Sequence, residues 1–314
     1  MRCPTLSLLA AAFLALAGCA AAPRLHRGAS HSPAGGEGPP CEACVTEAGH
    51  HRPELSPREA ARRYRLRVVT DPARPVAGAP ALVSAFVEDG AGRPVTTLQV
   101  HHERLAHFLV VSENLEEFHH VHAEDFGNLT DEARARGEFR FPVSFGMGGR
   151  YVMAVDFVDA GRAVHFQHVF QVEGPEQPPT RWRLSRRRAA GSLELRLNTM
   201  PPEVHEGVRA ECNLALSEGG RPVTDLEPYL GVLTHLAIFR QGATASAHVH
   251  GGGEEFAHAH AHQATPGYRG PKLYFGYAFP TPGRYRIFAQ FRRGGRVYTV
   301  PFDLEVAPRP VDSV

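Results

Sequence analysis

The sequence predicts an all-β protein: two tandem Ig-like β-sandwich domains behind a signal peptide and a flexible tether. Three observations predict it. From Tyr64 onward, short alternating apolar runs are separated by Gly, Pro, Asp and Asn, the pattern of strands bounded by turns. Gly (31) and Pro (26) are abundant while Lys is nearly absent, which suits turn-rich β structure better than helices. The chain also repeats. Gly92-Arg93-Pro94-Val95-Thr96 returns as Gly220-Arg221-Pro222-Val223-Thr224 at an offset of 128, and Gly149-Arg150-Tyr151 returns as Gly283-Arg284-Tyr285 at an offset of 134. Each copy covers about 110 residues, enough for one sandwich of about seven strands.

Residues 1–18 read as a lipoprotein signal peptide. Arg2 supplies the charge, and the apolar run Leu6 to Leu16 is too short to span a bilayer as a mature helix. Leu16-Ala17-Gly18-Cys19 resembles the lipobox of bacterial lipoproteins, which implies cleavage before Cys19 and lipidation of its thiol. Ala20, rather than Asp, follows. By resemblance to Gram-negative sorting, this implies a lipid anchor in the cell envelope, at the periplasmic face of the outer membrane. The competing reading is a secretory signal with an incidental cysteine.

Residues 19–61 read as a tether, small and rich in Gly and Pro, with a short helical turn between Glu54 and Arg63. The tether holds Cys41-Glu42-Ala43-Cys44, a pair that suits a redox couple, a metal clasp or a local disulfide. Val45 stands where haem attachment needs His. Domain 1 is expected at 62–174, a Pro/Gly-rich and then Arg-rich linker at 175–190, and domain 2 at 191–308. Cys212 falls in an apolar strand pattern and reads as a buried free thiol. No long helix is expected in either domain. Removing Arg2 takes the formal charge from +1 to zero, so no basic excess points to nucleic acid.

Nineteen histidines are the outlier of the composition, and six of them repeat in register. His107 is followed by His120 and His122; His235 is followed, at the same intervals, by His248 and His250. Residues i and i+2 of a strand share a face. A hairpin loop over Glu113 to Glu116 places His107 opposite His122, with His120 on the same face. A loop over Gln241 to Thr244 would place His235 opposite His250 in the same way. A slip of one residue would scatter the imidazoles over two faces. Three neutral imidazoles with an open fourth position suit Cu(II) or Zn(II). The second copy carries six extra residues before its Gly-Arg-Tyr, in a stretch, 251–270, that holds His258, His260 and His262. This stretch reads as a His-rich loop able to gather metal. The competing reading has the histidines satisfying one another within a partly buried face that also carries Leu109, Val111 and Phe118.

Ala106-His107-Phe108-Leu109-Val110-Val111-Ser112, Phe118-His119-His120-Val121-His122 and Gly148-Gly149-Arg150-Tyr151 resemble the YtkA-like (FixH-like) secreted β-sandwich family. Thr234-His235-Leu236-Ala237-Ile238-Phe239, Ala247-His248-Val249-His250 and Pro282-Gly283-Arg284-Tyr285 resemble it again. The resemblance implies an exported Ig-like fold and copper handling, with His107, His120, His122, His235, His248 and His250 as metal positions. The second copy departs in having Ser246-Ala247 where the first has Phe118-His119.

Together these features predict a membrane-anchored extracytoplasmic protein that buffers or delivers copper, or else zinc, and passes it to a metal-trafficking partner protein. No Ser/His/Asp set, carboxylate pair or phosphate loop supports an enzyme. The alternative is a non-enzymatic Ig-like interaction module whose histidines are structural.

Overall fold

The computed structural model describes residues 55–242, 256–261 and 265–310. Ser56 caps a short helix, α1 (Pro57–Arg63): its side chain accepts from the Glu59 backbone N–H while Glu59 reaches back to the Ser56 N–H. Two sandwiches follow within a single compact unit. The first contains β1 (Tyr64–Asp71), β2 (Pro80–Asp89), β3 (Leu98–Gln99), β4 (Ala106–Ser112), β5 (Phe118–Val121), β6 (Glu138–Ser144), β7 (Gly149–Asp159) and β8 (Arg162–Val172). A 3-10 turn (Ala123–Phe126) and a one-turn helix, α2 (Asp131–Ala135), link β5 to β6. The second contains β9 (Arg187–Ala190), β10 (Leu193–Met200), β11 (Val204–His205), β12 (Arg209–Glu218), β13 (Arg221–Pro222), β14 (His235–Arg240), β15 (Phe256–His260), β16 (Lys272–Ala278), β17 (Gly283–Arg293) and β18 (Arg296–Ala307). The protein is thus all-β, with two Ig-like sandwiches in tandem. No helix among the described residues is long and apolar enough to cross a membrane.

Seven strands of the two copies correspond, while β9 and β13 occur in the second alone. The small sheet β1-β2-β6 of domain 1 corresponds to β10-β12-β16 of domain 2. The large sheet β8-β7-β4-β5, with β3 beside β7, corresponds to β18-β17-β14-β15, with β11 beside β18. Each sandwich closes over its own apolar core. Phe108, Val110, Phe141, Tyr151 and Phe157 lie in the first core, and Leu214, Leu236, Phe275, Tyr285 and Phe302 in the second.

The large sheets are buried on both faces. An antiparallel sheet with one solvated face alternates apolar and polar residues, yet every residue of β4 is buried. The inward face of β4 carries Ala106, Phe108 and Val110. Its other face, with Leu109 and Val111, packs with Val152 and Ala154 of β7 against Ala237, Phe239, Phe256 and Phe288 of domain 2. The two large sheets therefore cover one another. Phe118 stacks on Phe288 at 4.4 Å between ring centres, and Trp182 of the linker packs beside the same cluster. Burying a side chain of this kind contributes roughly 1.5–3 kcal/mol.

One buried cation crosses this interface. Arg286 of β17 donates to Asp303 (2.7 Å) and to the Leu115 carbonyl (2.8 Å), and it pairs with Glu116 of domain 1 (3.0 Å). Arg186 and Arg188 of the linker are half-buried, while Arg187 between them is exposed. Arg186 donates to Thr199, and Arg188 donates to the Pro301 carbonyl. Cys212 is buried and free, its thiol pushed up to about 12 by burial. Cys19, Cys41 and Cys44 lie outside the described residues.

Candidate metal centre

The histidines project from the outer face of the large sheets, so they meet at the domain interface. In domain 1 the hairpin between β4 and β5 has Leu109 opposite His120 and Phe108 opposite Val121, and the Ser112 N–H donates to the Glu117 carbonyl. That register brings His107, His120 and His122 to one point. His107 Nδ1 lies 3.2 Å from His120 Nε2, His122 Nε2 lies 3.0 Å from His107 Nδ1, and His122 Nε2 lies 3.1 Å from His120 Nε2.

The outer ring nitrogens are all committed as donors. His107 Nε2 donates to the His101 carbonyl (3.0 Å), His120 Nδ1 to Gln290 Oε1 (2.7 Å) and His122 Nδ1 to Asp125 Oδ2 (2.8 Å). Gln290 is itself oriented, because its amide nitrogen donates to Thr299. In a neutral imidazole with one nitrogen protonated, the other carries a lone pair. When all three rings are in this neutral form, the nitrogens facing one another are all acceptors. With no hydrogen to share, they repel unless a cation lies among them.

In domain 2, His260, not His250, pairs with His235, and His258 pairs with Ala237. The expected loop over Gln241 to Thr244 and the expected His-rich loop over 251–270 are both corrected here, since Phe256 to His260 form strand β15. The hairpin is longer than its counterpart, and the positions of His120 and His122 are taken by His258 and His260. His248, His250 and His262 lie outside the described residues.

Ring geometry establishes the equivalence. In domain 1 the centroid separations are 5.4 Å for His107–His120, 4.8 Å for His107–His122 and 4.6 Å for His120–His122. In domain 2 they are 5.4 Å for His235–His258, 4.8 Å for His235–His260 and 4.6 Å for His258–His260. The outer hydrogen bonds correspond as well. His235 Nε2 donates to the Tyr229 carbonyl (3.0 Å) and His258 Nδ1 donates to Asp156 Oδ2 (2.8 Å), leaving His235 Nδ1 and His258 Nε2 facing each other at 3.3 Å. His260 Nε2 is buried without a hydrogen-bond partner.

Two of these supporting bonds cross between domains. Asp156 sits opposite His107 on β7 but orients His258 of domain 2; Gln290 sits opposite His235 on β17 but orients His120 of domain 1. Burial, the largest influence, holds His107, His120, His235, His258 and His260 well below the ordinary imidazole range, so these rings are neutral at physiological pH. Burial raises Asp125, but hydrogen bonds from His122 and Arg104 outweigh it and bring the carboxyl to about 2. Neutral imidazoles backed by carboxylates are prepared metal ligands. Groups His107/His120/His258 and His235/His258/His260 each hold their ligand atoms within 4.8 Å of one another.

Residues 61–174 and 189–308 each match the family model described as Domain of unknown function (DUF8832), together well over half of the chain. The chain belongs to this family. No curated protein matches the sequence. Among solved structures it is similar to the Escherichia coli adhesin FdeC, at 14% identity and a TM-score of 0.24, over 77% of this chain and 64% of that one. It is similar to the Yersinia pseudotuberculosis adhesin InvE at 11% and 0.23, over 78% and 61%. It is also similar to Salmonella alpha-2-macroglobulin at 10% and 0.24, over 78% and 17%. The chain spans less than two thirds of each of these structures.

The DUF8832 repeat explains which site residues the sequence left hidden. Counting from His235 at the first copy's spacing reaches His248 and His250. Counting from the aromatic residue reaches a different pair, for Phe118-His119-His120-Val121-His122-Ala123 recurs as Phe256-Ala257-His258-Ala259-His260-Ala261. Both phenylalanines pack into the interdomain cluster. Other described histidines face carboxylates. His119 faces Glu117 at 2.7 Å, and His165 lies 3.6 Å from Asp156. The His101-His102 turn packs against domain 2, with the His102 ring 3.8 Å from that of His260.

Proposed function

We propose that this protein is an extracytoplasmic copper-binding protein, anchored through Cys19, that buffers or delivers Cu(II), with zinc as the alternative ion. The observation that carries the reading is the meeting of His107 Nδ1, His120 Nε2 and His122 Nε2 at 3.0–3.2 Å with all three outer nitrogens already donating. Zn–N bonds of about 2.0–2.1 Å give a tetrahedral N···N edge of about 3.3–3.4 Å, close to that triangle. An all-imidazole donor set without thiolate suits Cu(II) and Zn(II), and copper stands higher in intrinsic affinity. A lipid on Cys19 would hold the domains at a membrane surface, where a metal-trafficking protein would exchange the ion.

The second reading is a structural one. The same histidines line a buried domain interface with Leu109, Phe118 and Phe239, and an interaction module would use them only to orient its two domains. Metal analysis of tag-free protein loaded with Cu(II) or Zn(II) separates the readings. His120→Ala/His122→Ala and His258→Ala/His260→Ala are each expected to lose about one equivalent of bound metal, whereas His248→Ala/His250→Ala is expected to keep the full amount. Equal, sub-stoichiometric binding by all four proteins would sink the ligand reading and leave the structural one.

A further inference from the structure

We propose that the two histidine trios form one binuclear centre, holding two metal ions within a few ångströms of each other across the domain interface. This rests on the metal-binding reading above and adds to it the number of ions, their proximity and their shared ownership by both domains.

Each trio draws its three imidazoles from one domain. The two ring triangles agree in all three sides, 5.4, 4.8 and 4.6 Å. A single-ion site has no need for six imidazoles in two matching sets. Yet the trios are not separate. Between them His107 lies 5.1 Å from His258, His120 lies 5.2 Å from His258, and His120 lies 5.4 Å from His235, ring centre to ring centre. These separations match those within a trio. His258 belongs to a ligand group with His235 and His260 and to another with His107 and His120. An ion sits about 2 Å from its imidazole nitrogens, so ions in both trios would lie on the order of 3.5–6 Å apart, a span whose short end is the roughly 3.5–4 Å of two-metal sites.

Two dications so close repel one another, and the surroundings supply compensating charge. Asp125 backs the domain 1 trio through His122, and Asp156 backs the domain 2 trio through His258. Asp156 is almost fully buried on a domain 1 strand. Each trio is thus oriented in part by the opposite domain, Asp156 acting on one and Gln290 on the other. Neither site is complete without the partner sandwich, and a short separation follows from how closely the two sheets pack.

The test is a Cu(II) titration of the tag-free full chain followed by electron paramagnetic resonance. One equivalent should give an ordinary mononuclear Cu(II) spectrum. At two equivalents, bound copper measured by metal analysis should reach two per chain, while integrated signal per bound ion falls by half or more, or a half-field transition appears. Either signature requires ions within a few ångströms. Two bound ions with additive, uncoupled spectra would overturn the proposal while leaving metal binding intact. So would saturation at one ion shared by His107, His120, His235 and His258. No bound copper would overturn both. Asp156→Asn, a milder variant that keeps the side-chain shape, should weaken the domain 2 ion about 10–100-fold, so that two equivalents of copper leave more uncoupled, mononuclear signal than in the unsubstituted chain. An unchanged second affinity in that variant would count against the cross-domain support.

Discussion

A single imidazole on a β face is an ordinary polar residue; what distinguishes these is the direction of their lone pairs. His107, His120 and His122 each spend one nitrogen on a fixed acceptor and point the other at the same place. Burial then keeps five of the rings, His107, His120, His235, His258 and His260, neutral when folded. Linkage gives this a sign. An unfolded histidine titrates near 6.5, so below that pH the unfolded chain binds protons that the folded centre refuses, and stability rises with pH. The metal-free protein should be most stable above about pH 7 and lose stability steadily as pH falls from about 6.5 toward the depressed folded values. Urea melts at pH 7.5, 6.5 and 5.5 check this. A His258→Ala/His260→Ala variant should show a shallower pH slope, and an equal or steeper slope would contradict the burial argument.

At the scale of elements, β4 and β14 decide the site, since each packs a core on one face and presents histidine and apolar residues on the other. The sequence made the first hairpin legible. Placing Ser112 against Glu117 predicts Leu109 against His120, and the strands pair that way. The second hairpin was misread because equal spacing does not measure a loop of different length. The signal that would have corrected it, Phe256 two residues before His258, reports packing against the other domain rather than spacing along the chain. The interface itself should carry substantial stability. Phe239→Ala, which empties a fully buried position beside Phe256 and Phe288, should cost about 3–5 kcal/mol. Arg286→Ala, which strands the buried Asp303 carboxylate, should cost about 3–5 kcal/mol. Chemical denaturation measures both. Losses under about 1 kcal/mol would mean that the sheets do not depend on one another.

For the whole molecule, the two sandwiches pack through their large sheets, and an ion held between them would bind the folded state alone. Free metal at about 100 times its dissociation constant should then add about 2.7 kcal/mol for each site. For a chain of this size, that raises Tm on the order of 5–10 °C. Calorimetry with and without Cu(II), followed by EDTA, checks this. A single metal-shifted transition fits a centre owned by both domains, whereas a shift confined to one of two transitions would assign the ion to a single sandwich.

The sequence by itself determined the β class, the duplication and the first histidine trio. All of these depend on local periodicity and short loops, where position along the chain dictates position in space. Only the tertiary structure decided that His258 and His260 complete the second trio, that Asp156 and Gln290 support the opposite domain, and that the histidine faces meet. Those facts depend on which sheet covers which. Two apolar faces join because each removes the other from water, and no spacing along one strand records the partner that will cover it.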